Sequence, residues 1–147
     1  MTSLLEVNLL IALLDPEHVH HRSAHAWFQE IGRSAWATCP IVENGVLRIL
    51  SNPRYPLAGA ASPARIATSI RGLRSVPGHV FWPDDLSLLD DGLVDLTKLI
   101  SSRQITDTYL LGLAAKNKGT FATFDQSIDA DTVRGGRDAL ITIPVGD

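Results

Sequence analysis

The sequence predicts an α/β fold, a central, mainly parallel β-sheet with helices on both faces. Three observations lead there. Short apolar runs of strand character recur along the whole chain, at residues 4–8, 35–38, 79–82, 120–123 and 140–143. Between them lie segments with apolar residues at helical spacing, bounded by Ser or Thr caps, prolines and glycines. Strands that alternate with helices build parallel sheets, and such strands are buried on both faces, so they read as unbroken apolar runs.

The elements follow in order. Residues 4–8 form the first strand, and residues 9–14 begin a helix that Asp15-Pro16 stops. A helical pattern continues through Ala24, Trp27, Phe28 and Ile31, with Gly32 where a C-cap residue belongs. After the second strand, Pro40 suits the first position of a helix, where its missing N–H would have no partner anyway. Ile41, Val42, Val46, Leu47, Ile49 and Leu50 give that helix its apolar face, and Ser51-Asn52-Pro53 ends it. Ser62-Pro63 opens another helix, to about Ser75. A looser region rich in aspartate runs from Asp84 to Asp95. Thr106 is the expected cap of a helix through Tyr109, Leu110, Leu113 and Ala114 that stops at Asn117-Lys118-Gly119.

No repeat, low-complexity tract or flexible linker divides the 147 residues, so one domain over 1–147 is expected, long enough to bury its own core. A composition of 45% hydrophobic and 20% charged residues excludes intrinsic disorder. One cysteine, Cys39, excludes a disulfide framework. No apolar run reaches the roughly 18 residues of a membrane span, and the N-terminus lacks the pattern of a signal peptide. The expectation is a soluble, cytoplasmic protein that does not associate with membranes.

Four acids fall at strand ends or helix starts. Glu6 ends the first apolar run, Glu43 lies in the first turn after Pro40, Asp107 follows Thr106, and Asp125 follows the strand ending in Thr123. In parallel sheets, ligands gather beyond the carboxyl ends of the strands. A carboxylate at the end of an apolar strand is costly unless compensated, and Glu6 is the hardest of the four to explain as ordinary structure. Asp107 and Glu43 also suit a helix dipole, and Asp125 also suits a turn. Several carboxylates in one pocket repel each other, and oxygen-only ligands favour Mg²⁺ or Mn²⁺ as the compensating ion. Acids holding Mg²⁺ are the apparatus of phosphodiester hydrolysis.

Four segments together resemble the PIN-domain ribonucleases, specifically the VapC-like toxins of prokaryotic toxin–antitoxin pairs. They are Leu4-Leu-Glu-Val-Asn-Leu-Leu-Ile-Ala-Leu-Leu-Asp-Pro16, Ala37-Thr-Cys-Pro-Ile-Val-Glu-Asn-Gly-Val-Leu-Arg-Ile-Leu-Ser-Asn-Pro53, Ile105-Thr-Asp-Thr-Tyr-Leu-Leu111 and Ala122-Thr-Phe-Asp125. The resemblance implies a PIN-like three-layer fold. It also implies that Glu6 and Asp107 coordinate Mg²⁺ (with Mn²⁺ as a substitute), that Glu43 and Asp125 complete the site directly or through water, and that Asn8 and Thr106 orient the acids. The implied activity is a Mg²⁺-dependent endoribonuclease cutting a tRNA or ribosomal RNA loop, with a small antitoxin as protein partner and a homodimer as the assembly. The family's first acid is almost always aspartate. Glu6 sets its carboxylate one methylene further out, so the alternative is a catalytically weakened PIN domain that binds RNA or antitoxin without cleaving.

Between Glu43 and Asp84 there is no acidic residue, while Arg48, Arg54, Arg65, Arg71 and Arg74 all fall there. The net charge of −3 therefore averages over two opposite features. Taking the four candidate acids from the 16 leaves 12 against 13 basic residues, compatible with an RNA surface on Arg48, Arg54, Arg71 and Arg74. His18, His20, His21 and His25 invite a zinc reading, but only Cys39 and His79 remain as further ligands. A loop leading into a helix start, with His21 as an RNA contact, is the expectation instead. Trp27, Trp36 and Trp82 read as core residues rather than base-stacking platforms.

Overall fold

Leu4, Leu5, Trp36, Ala37, Phe121 and Ala122 are completely buried and come from three short strands that pair side by side. The computed structural model describes residues 1–56, 62–90 and 92–146; Asp91 of the aspartate-rich region lies outside them. In chain order the regular elements are β1 (Ser3–Leu5), α1 (Val7–Leu14), α2 (His21–Glu30), β2 (Trp36–Thr38), α3 (Pro40–Leu50), α4 (Pro63–Arg74), β3 (His79–Phe81), α5 (Ile105–Lys116), β4 (Thr120–Thr123), α6 (Gly136–Ala139) and β5 (Leu140–Thr142), with short 3₁₀ turns between some of them. The five strands form one all-parallel sheet in the order β3-β2-β1-β4-β5. None of the described helices is long and apolar enough to cross a membrane.

The chain runs from β1 outward through β2 to β3, crosses back to β4, and ends at β5. Its direction across the sheet thus reverses between β1 and β4, the switch point at which open α/β sheets hold ligands. α1 packs on α2 and α3, and α3 on α4, while α5 packs on α6. Right-handed crossovers put these two groups on opposite faces.

Four local expectations are corrected. The first strand stops at Leu5, because Glu6 is the N-cap of α1: its Oε2 accepts the Asn8 N–H at 2.8 Å, and the backbone turns helical at Val7. α5 begins at Ile105, before Thr106. Ser101 caps a 3₁₀ turn there, and the Gln104 side chain folds back on the Ser101 N–H, so Thr106 falls within the first helical turn. Ile41 is 37% exposed, because α3 buries Val42, Val46 and Leu50, one row four residues apart. Gly32 opens a 3₁₀ turn after the C-cap Ile31, and a Cβ there would lie 2.5 Å from the Trp27 ring.

Asp15 ends α1, buried at the helix terminus where a negative charge is least welcome. Tyr55 compensates it by donating its hydroxyl to Asp15 Oδ2 at 2.5 Å, and Glu17 donates its amide to Oδ1 at 3.0 Å. Tyr55→Phe should therefore lower stability by about 1–3 kcal/mol, the usual cost of a buried polar group losing its partner. Urea unfolding of the two proteins checks it, and equal midpoints would show the bond to be dispensable.

Candidate active site

β1 and β4 pair in parallel with Leu5 opposite Ala122, and Glu6 donates its amide to the Ala122 carbonyl at 3.0 Å. That register brings the residues just after the two strands, Glu6 and Asp125, to the same end of the sheet. α5 packs on both strands and carries Asp107 in its first turn. Two of the three carboxyls are shifted by their surroundings. Burial pushes Glu6 up to about 7, and the nearby charges of Asp107 and then Asp125 push the same way, against amide hydrogen bonds from Asn8 and Leu9. Asp107 is raised by burial and by Asp125. Asp125 is exposed, and its Oδ1 accepts the amide and hydroxyl of Ser127 at 2.8 and 2.6 Å. Asp107 and Asp125 line a cavity of about 200 Å³ together with Arg103, Gln104 and Asp129.

Glu43 is held differently. In the first turn of α3, its Oε2 accepts the Thr38 hydroxyl at 2.6 Å and lies 3.2 Å from Arg74 Nη1. Thr38 gives its one proton to Glu43, so it accepts from His79 Nε2, 2.8 Å away, and the His79 ring packs edge-on against Trp36. Burial and the Arg74 charge hold the His79 pKa below its ordinary value. Arg74 also lies over the Phe81 ring, 5.6 Å from its centroid. Glu43 is thus paired with an arginine, whereas Glu6, Asp107 and Asp125 make no ion pair among the described residues.

Among the described residues, no three His, Cys, Asp or Glu side chains are already gathered around a common point for a metal ion. The donor chemistry of the central trio nonetheless suits a hard divalent cation. All its ligands are carboxylate oxygens, and Glu6 and Asp107 are destabilised as anions by burial and mutual repulsion, which a cation would relieve.

The remaining predicted residues divide clearly. Asn8 meets Glu6 through its backbone amide, and its side chain, like that of Thr106, is at an exposed position. Arg48, Arg54, Arg65 and Arg71 are exposed, while Arg74 is engaged with Glu43. His21 Nδ1 lies 2.6 Å from the Ala12 carbonyl and His25 Nε2 3.0 Å from that of Leu13, so both rings bond the last turn of α1. Trp27 and Trp36 are buried, and Trp82 packs against the core. Sequence reasoning did not find Arg103 and Asp129 at the cavity. The available signal was spacing: Arg103 lies four residues before Asp107, and Asp129 four after Asp125.

A parallel α/β sheet with carboxylates at its switch point fits a PIN-like fold. No family model matches the chain. It is 44% identical to Ribonuclease VapC44 of Mycobacterium tuberculosis over 138 residues, covering 92% of this chain and 94% of that protein. It is 41% identical to Ribonuclease VapC39 of the same organism over 136 residues (92% and 96%), and 39% identical to Ribonuclease VapC38 over 126 residues (86% of each). The chain belongs to the VapC family of PIN-domain ribonuclease toxins.

Proposed function

We propose that this chain is a Mg²⁺-dependent endoribonuclease, the toxin of a toxin–antitoxin pair, that hydrolyses phosphodiester bonds in structured RNA such as a tRNA or ribosomal RNA loop. The observation that carries the reading is the raised pKa of Glu6, buried and facing the charges of Asp107 and Asp125, and of Asp107 beside it, at the switch point of a VapC-family fold. Glu6 and Asp107 would hold Mg²⁺ or Mn²⁺, with Asp125 and Glu43 completing its shell directly or through water. A bound divalent ion supplies Lewis acidity toward the phosphate and a more acidic water. Asp125 keeps Oδ2 clear of its Ser127 bonds and is suited to orient that water. Glu43, paired with Arg74, would contribute through water or after exchanging that arginine for the site. A small antitoxin that covers the acidic cavity, and a second copy of the chain, are the partners this reading implies.

A weakened, RNA-holding domain is the second reading, favoured by the long Glu6 side chain and by the Glu43–Arg74 pair. Labelled tRNA and ribosomal RNA incubated with Mg²⁺, Mn²⁺ or EDTA separate the two: metal-dependent cut ends support the enzyme, and binding without products supports the alternative. Aspartate is a good N-cap and would retain the bond to the Asn8 amide. Glu6→Asp is therefore expected to raise metal-dependent cleavage severalfold in the same assay. Unchanged or lower cleavage would mean that glutamate already fits this site.

A further inference from the structure

We infer that Arg103 binds a backbone phosphate of the RNA at the acidic cavity. The inference rests on the nuclease reading above and adds a substrate-binding residue to it. Asp107, Asp125 and Asp129 line the cavity, and Arg103 is the one cation among the described residues lining it. Three carboxylates repel an incoming phosphate, and a cationic side chain beside them offsets that repulsion together with the proposed metal ion. A guanidinium does so best, because its planar fork matches two phosphate oxygens.

Arg103 is also uncommitted, unlike the other arginines near acids. Arg74 is spent on Glu43, and Arg137 makes a two-point contact with Asp131 at 2.7 and 2.9 Å. No ion pair among the described residues includes Arg103, although Asp107 follows it by four residues, a spacing at which opposite charges commonly meet. The side chain rises from a built turn. Ser101 Oγ accepts the Arg103 amide at 3.2 Å, and Gln104 Oε1 accepts the amides of Ile100 and Ser101 at 2.9 and 3.0 Å. A backbone tied down in this way fixes the point at the cavity from which the side chain extends.

The probe is a fluorescein-labelled hairpin RNA of mixed loop sequence, titrated by anisotropy with Asp107→Asn protein in Mg²⁺ across a salt series. Adding Arg103→Gln should weaken binding about tenfold and flatten the log–log salt slope by about 0.7, the share of one phosphate contact. Arg103→Lys should keep the salt slope but recover only part of the affinity, since lysine retains the charge without the fork, and Arg137→Gln, an equal change of charge away from the cavity, should alter neither quantity. In the chain with Asp107 intact, Arg103→Gln should raise KM about tenfold and leave kcat nearly unchanged, the pattern of a contact shared by ground and transition states. Equal affinity and slope with and without Arg103 overturn the inference and leave the nuclease reading standing. Arg103-dependent binding without metal-dependent cuts leaves the inference and overturns the nuclease reading, and RNA neither bound nor cut overturns both. Arg103 is exposed, so its variants should melt with their parent, and a melting shift would mark the residue as structural.

Discussion

Asp107→Asn protein is expected to cleave RNA at least about a hundredfold more slowly than the native chain, the scale of losing one preorganised electrostatic group at a reacting centre. It should do so without melting at a lower temperature. The two outcomes follow from one fact. Asp107 is held above the ordinary carboxylate range by burial and by Asp125, so its charge is a burden on the folded state rather than a support. Asparagine keeps the shape and removes the charge, which relieves the repulsion on Glu6 and Asp125 but withdraws an anionic oxygen from a cation. A structural acid would behave oppositely, losing stability first. Gel analysis of cut ends in Mg²⁺, beside a thermal melt, reads both quantities. Expression of the native chain alone should slow growth, and the variant should not. Cleavage within about tenfold of native would remove Asp107 from the centre of the mechanism.

Metal-free protein should lose stability as pH rises from about 4.5 to above 7, by on the order of 3 kcal/mol from Glu6. Burial is the first cause of the raised value, and the charges of Asp107 and Asp125 add to it. The sign is that of an acid favoured in its neutral form by folding. Below 4.5 the carboxyl is protonated in both states and its favourable contribution is complete. Between 4.5 and 7 the unfolded chain releases a proton that the folded chain retains, so stability falls, and above 7 it levels off. Glu6→Gln should therefore be more stable than the native protein at about pH 8 in EDTA and nearly equal to it at about pH 4.5. The amide oxygen of the substituted side chain can still accept the Asn8 N–H, so the helix cap survives the change. Mg²⁺ should recover much of the loss in the native chain and none of the difference in the variant. Denaturant unfolding across the pH range checks this, and a native-to-variant difference independent of pH would contradict it.

Much of the architecture is legible because it is written locally. Buried parallel strands are apolar almost throughout, most helices show an apolar stripe, and the alternation of the two implies a parallel sheet. The same logic locates Glu6, Asp107 and Asp125, since acids at strand ends and helix starts are few in this chain. The local code fails where two signals compete. Glu6 reads as the close of a strand because its neighbours are apolar, yet its carboxylate captures the Asn8 amide and starts a helix. Thr106 looks like a cap, but Ser101 and Gln104 close the preceding turn first.

Local patterning along the chain suffices for the class of fold, the chemistry of the acids and the end of the sheet on which they fall. Which acids come together depends on how distant strands pair. The order β3-β2-β1-β4-β5 makes neighbours of strands more than a hundred residues apart, and so brings Glu6 to Asp125. It also sets Arg74 beside Glu43, while Arg103 and Asp129 join the cavity with no motif to announce them. Spacing along the chain encodes local geometry, but contact between distant carboxylates depends on strand order and register, which are settled only when the whole core packs.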